Sequence, residues 1–189
     1  MKSQRWKKFI VKNFSYKLEN LPNLLTFFRL GLVPIFIGVF FSKLPLHREM
    51  AALIFGISAI TDFLDGYIAR KYKIESNLGK LLDPIADKLL ALSSLAVLVI
   101  SKDIPIWILE VLIVREAVLI YGSALIIKKR EKIMTPSIWG KSATLFILLG
   151  IFGALLNIFM GKYLIYLGIF ISIISGIDYI LKGLKVLRN

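Results

Sequence analysis

The chain has 189 residues, 57% of them hydrophobic, and a mean hydropathy of +0.75. A water-soluble domain of that length carries far more polar surface, so the expected class is an integral membrane protein. The net charge of +13 would indicate nucleic acid in a soluble protein, but here the basic residues flank apolar runs, where membrane topology and anionic headgroups explain them.

Residues 1–20 interleave Lys2, Arg5, Lys7, Lys8, Lys12 and Lys17 with Trp6, Phe9, Ile10, Val11, Phe14 and Tyr16. That pattern predicts an amphipathic interfacial helix lying on an anionic leaflet. The apolar run that follows is long and lacks a small-residue cleavage site, so it reads as an anchor rather than a signal peptide. From residue 21 onward the sequence predicts one six-helix membrane domain reaching residue 189. Six apolar spans follow at roughly 22–42, 49–71, 80–100, 104–127, 138–158 and 163–182. Each is close to the ~20 residues needed to cross about 30 Å of hydrocarbon. The only histidine, His47, falls in a short basic loop and reads as solvated.

The distribution of basic residues orients these spans. With the N-terminus in the cytosol, cytosolic segments hold 17 Lys and Arg and the opposite side holds four (Lys43, Arg48, Lys102 and Lys162). The positive-inside rule then places both termini in the cytosol, and with them the turn at 70–80. Arg29, Lys88, Arg115 and Lys141 fall within spans.

That turn lies inside the most unusual stretch of the chain, residues 62–87. Asp62, Asp65, Gly66 and Ala69 stand at offsets 0, 3, 4 and 7, one stripe of a helix. Asp83 and Asp87 are one turn apart on the next helix. Gly79 lies in the connecting region, so an antiparallel hairpin would bring two acidic stripes face to face. Each Asp at a bilayer centre costs ~2.5–3.5 kcal/mol on an insertion scale, and four together repel. Hard divalent cations relieve that conflict. With no cysteine in the chain, all-oxygen ligation suits magnesium or manganese, and two such ions can clamp a phosphoryl group. The plainer reading is that individual acids pair with Arg70, Lys71 or Lys88. Gly66 and Ala69 admit helix packing as well as close approach of a flat ligand, and Arg70 admits snorkelling as well as phosphate binding. Paired intramembrane acids also occur in cation transporters, but these cluster at one end of their spans and form no path outward.

Asp62-x2-Asp65-Gly66-x2-Ala69-Arg70-x8-Gly79-x3-Asp83-x3-Asp87 resembles the signature of the CDP-alcohol phosphotransferases at every position. The resemblance implies a six-helix homodimer in the cell (cytoplasmic) membrane, with a two-metal site open to the cytosol and a CDP-linked donor. It implies that Asp62, Asp65, Asp83 and Asp87 hold two Mg2+ or Mn2+ ions. Asp87 would also deprotonate the acceptor hydroxyl, which attacks the lipid-bearing phosphorus of CDP-diacylglycerol as CMP leaves. Gly66, Ala69, Arg70 and Gly79 would line the nucleotide and pyrophosphate site.

Further pieces resemble the phosphatidylglycerophosphate synthases of that family. They are Leu21-Pro22-Asn23-Leu24-Leu25-Thr26-x2-Arg29, Arg115-Glu116, Gly140-Lys141-x2-Thr144 and Ser175-Gly176-x-Asp178-Tyr179. The acceptor implied is glycerol 3-phosphate, a dianion that requires extra cations, and Arg115 and Lys141 are the candidates for its phosphate. Arg115 has a competing role in pairing with Glu116 or Asp178, and Lys141 in snorkelling. Asn23, Thr26 and Arg29 stand where span one would approach the nucleotide, although Asn23 and Thr26 also suit helix capping. After Glu116 the chain reads Ala117-Val118-Leu119-Ile120-Tyr121-Gly122-Ser123, without a second arginine. There it looks more like the cardiolipin synthases, whose acceptor is phosphatidylglycerol.

Overall fold

A computed structural model describes the backbone of residues 21–72, 77–130 and 137–188, and the side chains of 26–62, 88–124, 126 and 137–185. All the described regular structure is helical, in the order α1 (Leu21–Phe40), α2 (His47–Tyr72), α3 (Asn77–Ile100), α4 (Trp107–Arg130), α5 (Ile138–Leu155) and α6 (Phe159–Arg188). Each helix overlaps one of the six apolar runs, with ends that differ by up to six residues. Two of them, over Ile138–Leu155 and Phe159–Lys185, are long and apolar enough by composition to cross a membrane. The amphipathic segment expected at 1–20 lies outside the described residues.

The contacts divide the chain into two units, Met1–Ser93 and Ser94–Asn189, with the boundary inside α3. In the first unit, α1 and α2 pack as an antiparallel pair. The buried residues of α1 are Thr26, Arg29, Leu32, Phe36 and Phe40, spaced three to four apart along one face. On α2 they are Ala51, Ala52, Phe55 and Ser58, and Asp62 stands one further turn along the same line. At one end of the seam the Phe40 ring meets the edge of His47 (6.1 Å between centroids), with the Arg48 guanidinium 5.3 Å from the same ring. His47 is thus half-buried as the first residue of α2, where the sequence places it in a solvated loop.

In the second unit, α5 and α6 form a hairpin whose backbones nearly touch. A Cβ on Gly150 would lie 2.6 Å from the Ile165 nitrogen, and one on Gly161 would overlap the backbone of Gly153 and Ala154. Small residues that admit such close approach are the usual device for packing helices where no water drives them together. The turn between them is a Schellman closure. Ile158 N–H donates to the Gly153 carbonyl (2.8 Å) and Asn157 N–H to that of Ala154 (3.1 Å), with Asn157 in the left-handed region at φ 56°. The end of α3 closes the same way, Asp103 N–H donating to Leu98 O (2.9 Å) and Lys102 N–H to Val99 O (3.0 Å). The start of α4 is tied to α6 by the stacked rings of Trp107 and Tyr166, 6.1 Å apart.

Candidate active site

The acidic stretch is helical on both sides of residues 73–76. Positions 62, 65, 66, 69 and 70 lie on α2, and 79, 83 and 87 on α3. Gly79 stands in the first turn of α3, because that helix begins at Asn77 rather than beyond the glycine as the sequence suggests. The side chains of Asp65, Arg70, Asp83 and Asp87, like that of Asn23, lie outside the described residues, and so does the facing of the two acidic stripes. Asp62 is described. Its carboxylate is 42% exposed and accepts from Arg29 Nη1 at 2.5 Å, while the Arg29 side chain is only 1% exposed. Thr26, one turn before Arg29, is fully buried.

Arg29 thus serves Asp62 directly, a partner that sequence reasoning missed in favour of Arg70, Lys71 and Lys88. The clue was available: an arginine in the middle of an apolar helix needs a counter-charge, and Asp62 leads the acidic stripe. Acidic oxygen donors at one turn's spacing fit a hard divalent ion, and Asp62 fits that set. An ionised carboxylate has about four lone-pair sites, so pairing with an arginine and ligating a metal ion are not mutually exclusive for it. Among the described residues no three acidic or histidine side chains converge; the side chains of the other three aspartates lie outside them.

In the second unit, three of the sequence pieces picked out above come together. Ser137 caps α5, its Oγ accepting from Gly140 N–H at 3.2 Å, and the same hydroxyl lies 2.9 Å from Ser175 Oγ on α6. A Cβ at Gly140 would stand 3.0 Å from Ser175 Oγ, 3.5 Å from Arg115 Nη2 and 3.7 Å from Ser137 Oγ. The bare glycine is therefore what lets an arginine from α4, a serine from α6 and the first turn of α5 share one place. Arg115 Nη1 donates to Glu116, its chain neighbour, and Arg115 Nε has no hydrogen-bond partner among the described residues. Asp178, the other proposed partner of Arg115, pairs with Lys182 instead (2.6 Å, one turn on). The buried Tyr179 hydroxyl likewise lacks a partner among the described residues. Thr144 Oγ1 donates back to the Gly140 carbonyl at 3.0 Å, and Lys141 is exposed.

Ser137 was not foreseen, although a serine three residues before a glycine at the start of an apolar run is a helix-start signal. Chemically, the cluster offers a guanidinium, two hydroxyls and a helix N-terminus, the donors that an anion such as a phosphate monoester accepts from.

Comparison with known proteins decides the family. The family model described as CDP-alcohol phosphatidyltransferase matches residues 19–174. The chain belongs to the CDP-alcohol phosphatidyltransferase family. A relative from Aquifex aeolicus, named CDP-diacylglycerol–glycerol-3-phosphate 3-phosphatidyltransferase, is 34% identical over 178 residues, 89% of this chain and 98% of its own length. One from Bacillus subtilis with the same name is 29% identical over 90% of this chain and 98% of its own length. A Rickettsia bellii relative, again so named, is 49% identical over 86 residues, and this match spans 46% of the chain and about half (48%) of the relative. The CDP-alcohol phosphatidyltransferase match covers α1 to α5 entirely and about the first half of α6, and so includes both the acidic stretch and Arg115, Gly140 and the Ser137 cap.

Proposed function

We propose that this chain transfers a phosphatidyl group from CDP-diacylglycerol to glycerol 3-phosphate, forming phosphatidylglycerophosphate and releasing CMP. The observation that carries the proposal is the likeness over nearly the whole chain to relatives bearing that enzyme name. The cluster around Gly140 supports a phosphate-bearing acceptor, because it gathers donors and an under-used guanidinium in one place.

In the reaction, Asp87 takes the proton of the acceptor hydroxyl, whose oxygen forms a new bond to the lipid-bearing phosphorus. The bond from that phosphorus to the bridging oxygen breaks, and the electron pair leaves with CMP. Asp62, Asp65, Asp83 and Asp87 would hold two Mg2+ or Mn2+ ions, which when bound supply neutralisation of the pyrophosphate charge. Gly66 and Ala69 leave room for the nucleotide, with Arg70, Gly79, Asn23 and Thr26 beside it. Arg115, with Lys141 near the same helix end, receives the acceptor phosphate.

The physical setting follows from the substrates. Acyl chains stay in the bilayer while nucleotide and acceptor arrive from water, so the acids belong at the cytosolic boundary of a six-span protein in the cytoplasmic membrane. Both termini are then cytosolic, with an interfacial helix at 1–20, and the enzyme works as a homodimer. The test is direct: purified protein in detergent, given CDP-diacylglycerol, glycerol 3-phosphate and magnesium, should release CMP and yield phosphatidylglycerophosphate by mass. Release only with phosphatidylglycerol would make it a cardiolipin synthase. No CMP with any alcohol acceptor would remove the enzyme assignment altogether.

A further inference from the structure

We infer that Arg29 is the positioning residue for the Asp62 carboxylate, anchoring it from behind so that it presents a fixed edge to a divalent cation. The inference rests on the proposed metal-dependent reaction and assigns to α1 a part in building the metal site.

The asymmetry of the pair carries the argument. Arg29 is sealed, with 1% of its side chain exposed, whereas Asp62 is 42% exposed. An ion pair serving only to neutralise a buried arginine would be expected to bury both partners; here the guanidinium lies inside the α1–α2 seam and the carboxylate reaches out of it. The link runs from one helix to another across 33 residues of chain, with Nη1 and Oδ1 2.5 Å apart. Asp62 also closes the line of buried positions on α2 and opens the acidic stripe, so it stands where packing gives way to chemistry. A carboxylate on a helix surface samples several rotamers. One held by a planar guanidinium does not, and at 42% exposure the Asp62 carboxylate remains within reach of a second cation.

Two electrostatic effects oppose each other here, and the sign of the result separates them. A neighbouring positive charge by itself repels a metal ion, so deleting it would tighten binding. A positioning partner holds the ligand ready, and removing such partners typically weakens metal affinity or activity by about 10–100-fold.

The experiment is a Mn2+ titration followed by electron paramagnetic resonance on detergent-purified wild type, Arg29→Met and Arg29→Lys, with thermal unfolding recorded in chelator. The Lys variant keeps a counter-charge for Asp62, which preserves the fold, but loses the planar fork. Expected is Mn2+ half-saturation raised about 10–100-fold in Arg29→Met and about 10-fold in Arg29→Lys. At saturating Mn2+ the KM for glycerol 3-phosphate should stay within about twofold of wild type, since a ligand-orienting role acts through the metal. Unchanged or tighter Mn2+ binding in a folded variant overturns the inference and leaves the pair as a tie between helices. Wild type that binds no Mn2+ and releases no CMP overturns the functional reading itself, and this inference with it.

Discussion

Two arginines sit inside apolar helices, and the protein treats them in opposite ways. Arg29, in the first unit, is almost wholly buried and reaches across to an acid on another helix. Arg115, in the second, turns to the adjacent Glu116 on its own helix and keeps 15% of its side chain exposed. A buried charge is tolerated only when paired and hydrogen-bonded, and each arginine has its acid, one on another helix and one next in the chain. Arg29 ties two helices together, while Arg115 is paired within its own helix and stays partly exposed.

That contrast can be broken in four ways. The largest effect belongs to the acidic stretch that Arg29 serves: Asp87→Asn should lower kcat by about 10²–10⁴-fold while CDP-diacylglycerol binding remains measurable. Normal turnover in that variant would remove Asp87 as the base. Arg115→Met comes next. Losing a charge-assisted contact worth about 1.5–3 kcal/mol should raise the KM for glycerol 3-phosphate roughly 10–150-fold. The KM for CDP-diacylglycerol should hardly change, and a defect that falls on the donor would erase the distinction between the two arginines. Gly140→Ala sharpens it further, because the new methyl must displace Ser175 Oγ from 3.0 Å. A shift of a few tenths of an ångström in that neighbour should raise the acceptor KM by about two- to tenfold, on the scale of a fraction of one hydrogen bond. Smallest of all, Asp178→Asn should alter acceptor KM by less than about twofold, since it removes a partly exposed pair with Lys182, and such pairs contribute about 0–1 kcal/mol. A large effect there would mean that Asp178, and not Glu116, governs Arg115.

Among the described residues, helix placement was legible in the sequence because runs of apolar residues broken by short polar turns have few other readings. The edges were less so. The span expected to start at 104 starts as a helix at Trp107, since Lys102 and Asp103 close the preceding helix and Ile108 N–H bonds to the Pro105 carbonyl in the intervening turn. The last helix extends to Arg188, past the apolar window, because Lys182 and Lys185 continue a helix readily though they end a hydropathy run. For the site, residue types and spacing were readable, since the acids repeat at helical intervals. Partners were not. The union of Arg29 with Asp62 and the meeting of Ser137, Ser175 and Arg115 around Gly140 are tertiary events, set by how helices pack; the need of Arg29 for a counter-charge was legible, but not which acid answers it.

The glycine contacts of the α5–α6 hairpin have a mechanical consequence. Gly153 and Gly161 meet at the turn, while Gly140 and Ser175 meet 13 and 14 residues away along the two helices. At 1.5 Å of rise per residue, that is about 20 Å. The hairpin therefore works as a gauge clamped at its far end. Any bulk introduced at the turn slides one rod past the other, and a slip of one residue would carry Ser175 about 1.5 Å along and 100° around its axis. The Ser137–Ser175 hydroxyl pair would be lost without a single change near it. Tolerance at the candidate acceptor site is thus set along the whole hairpin, by glycines at the turn and at Gly150 and Gly168 that have no side chain at all.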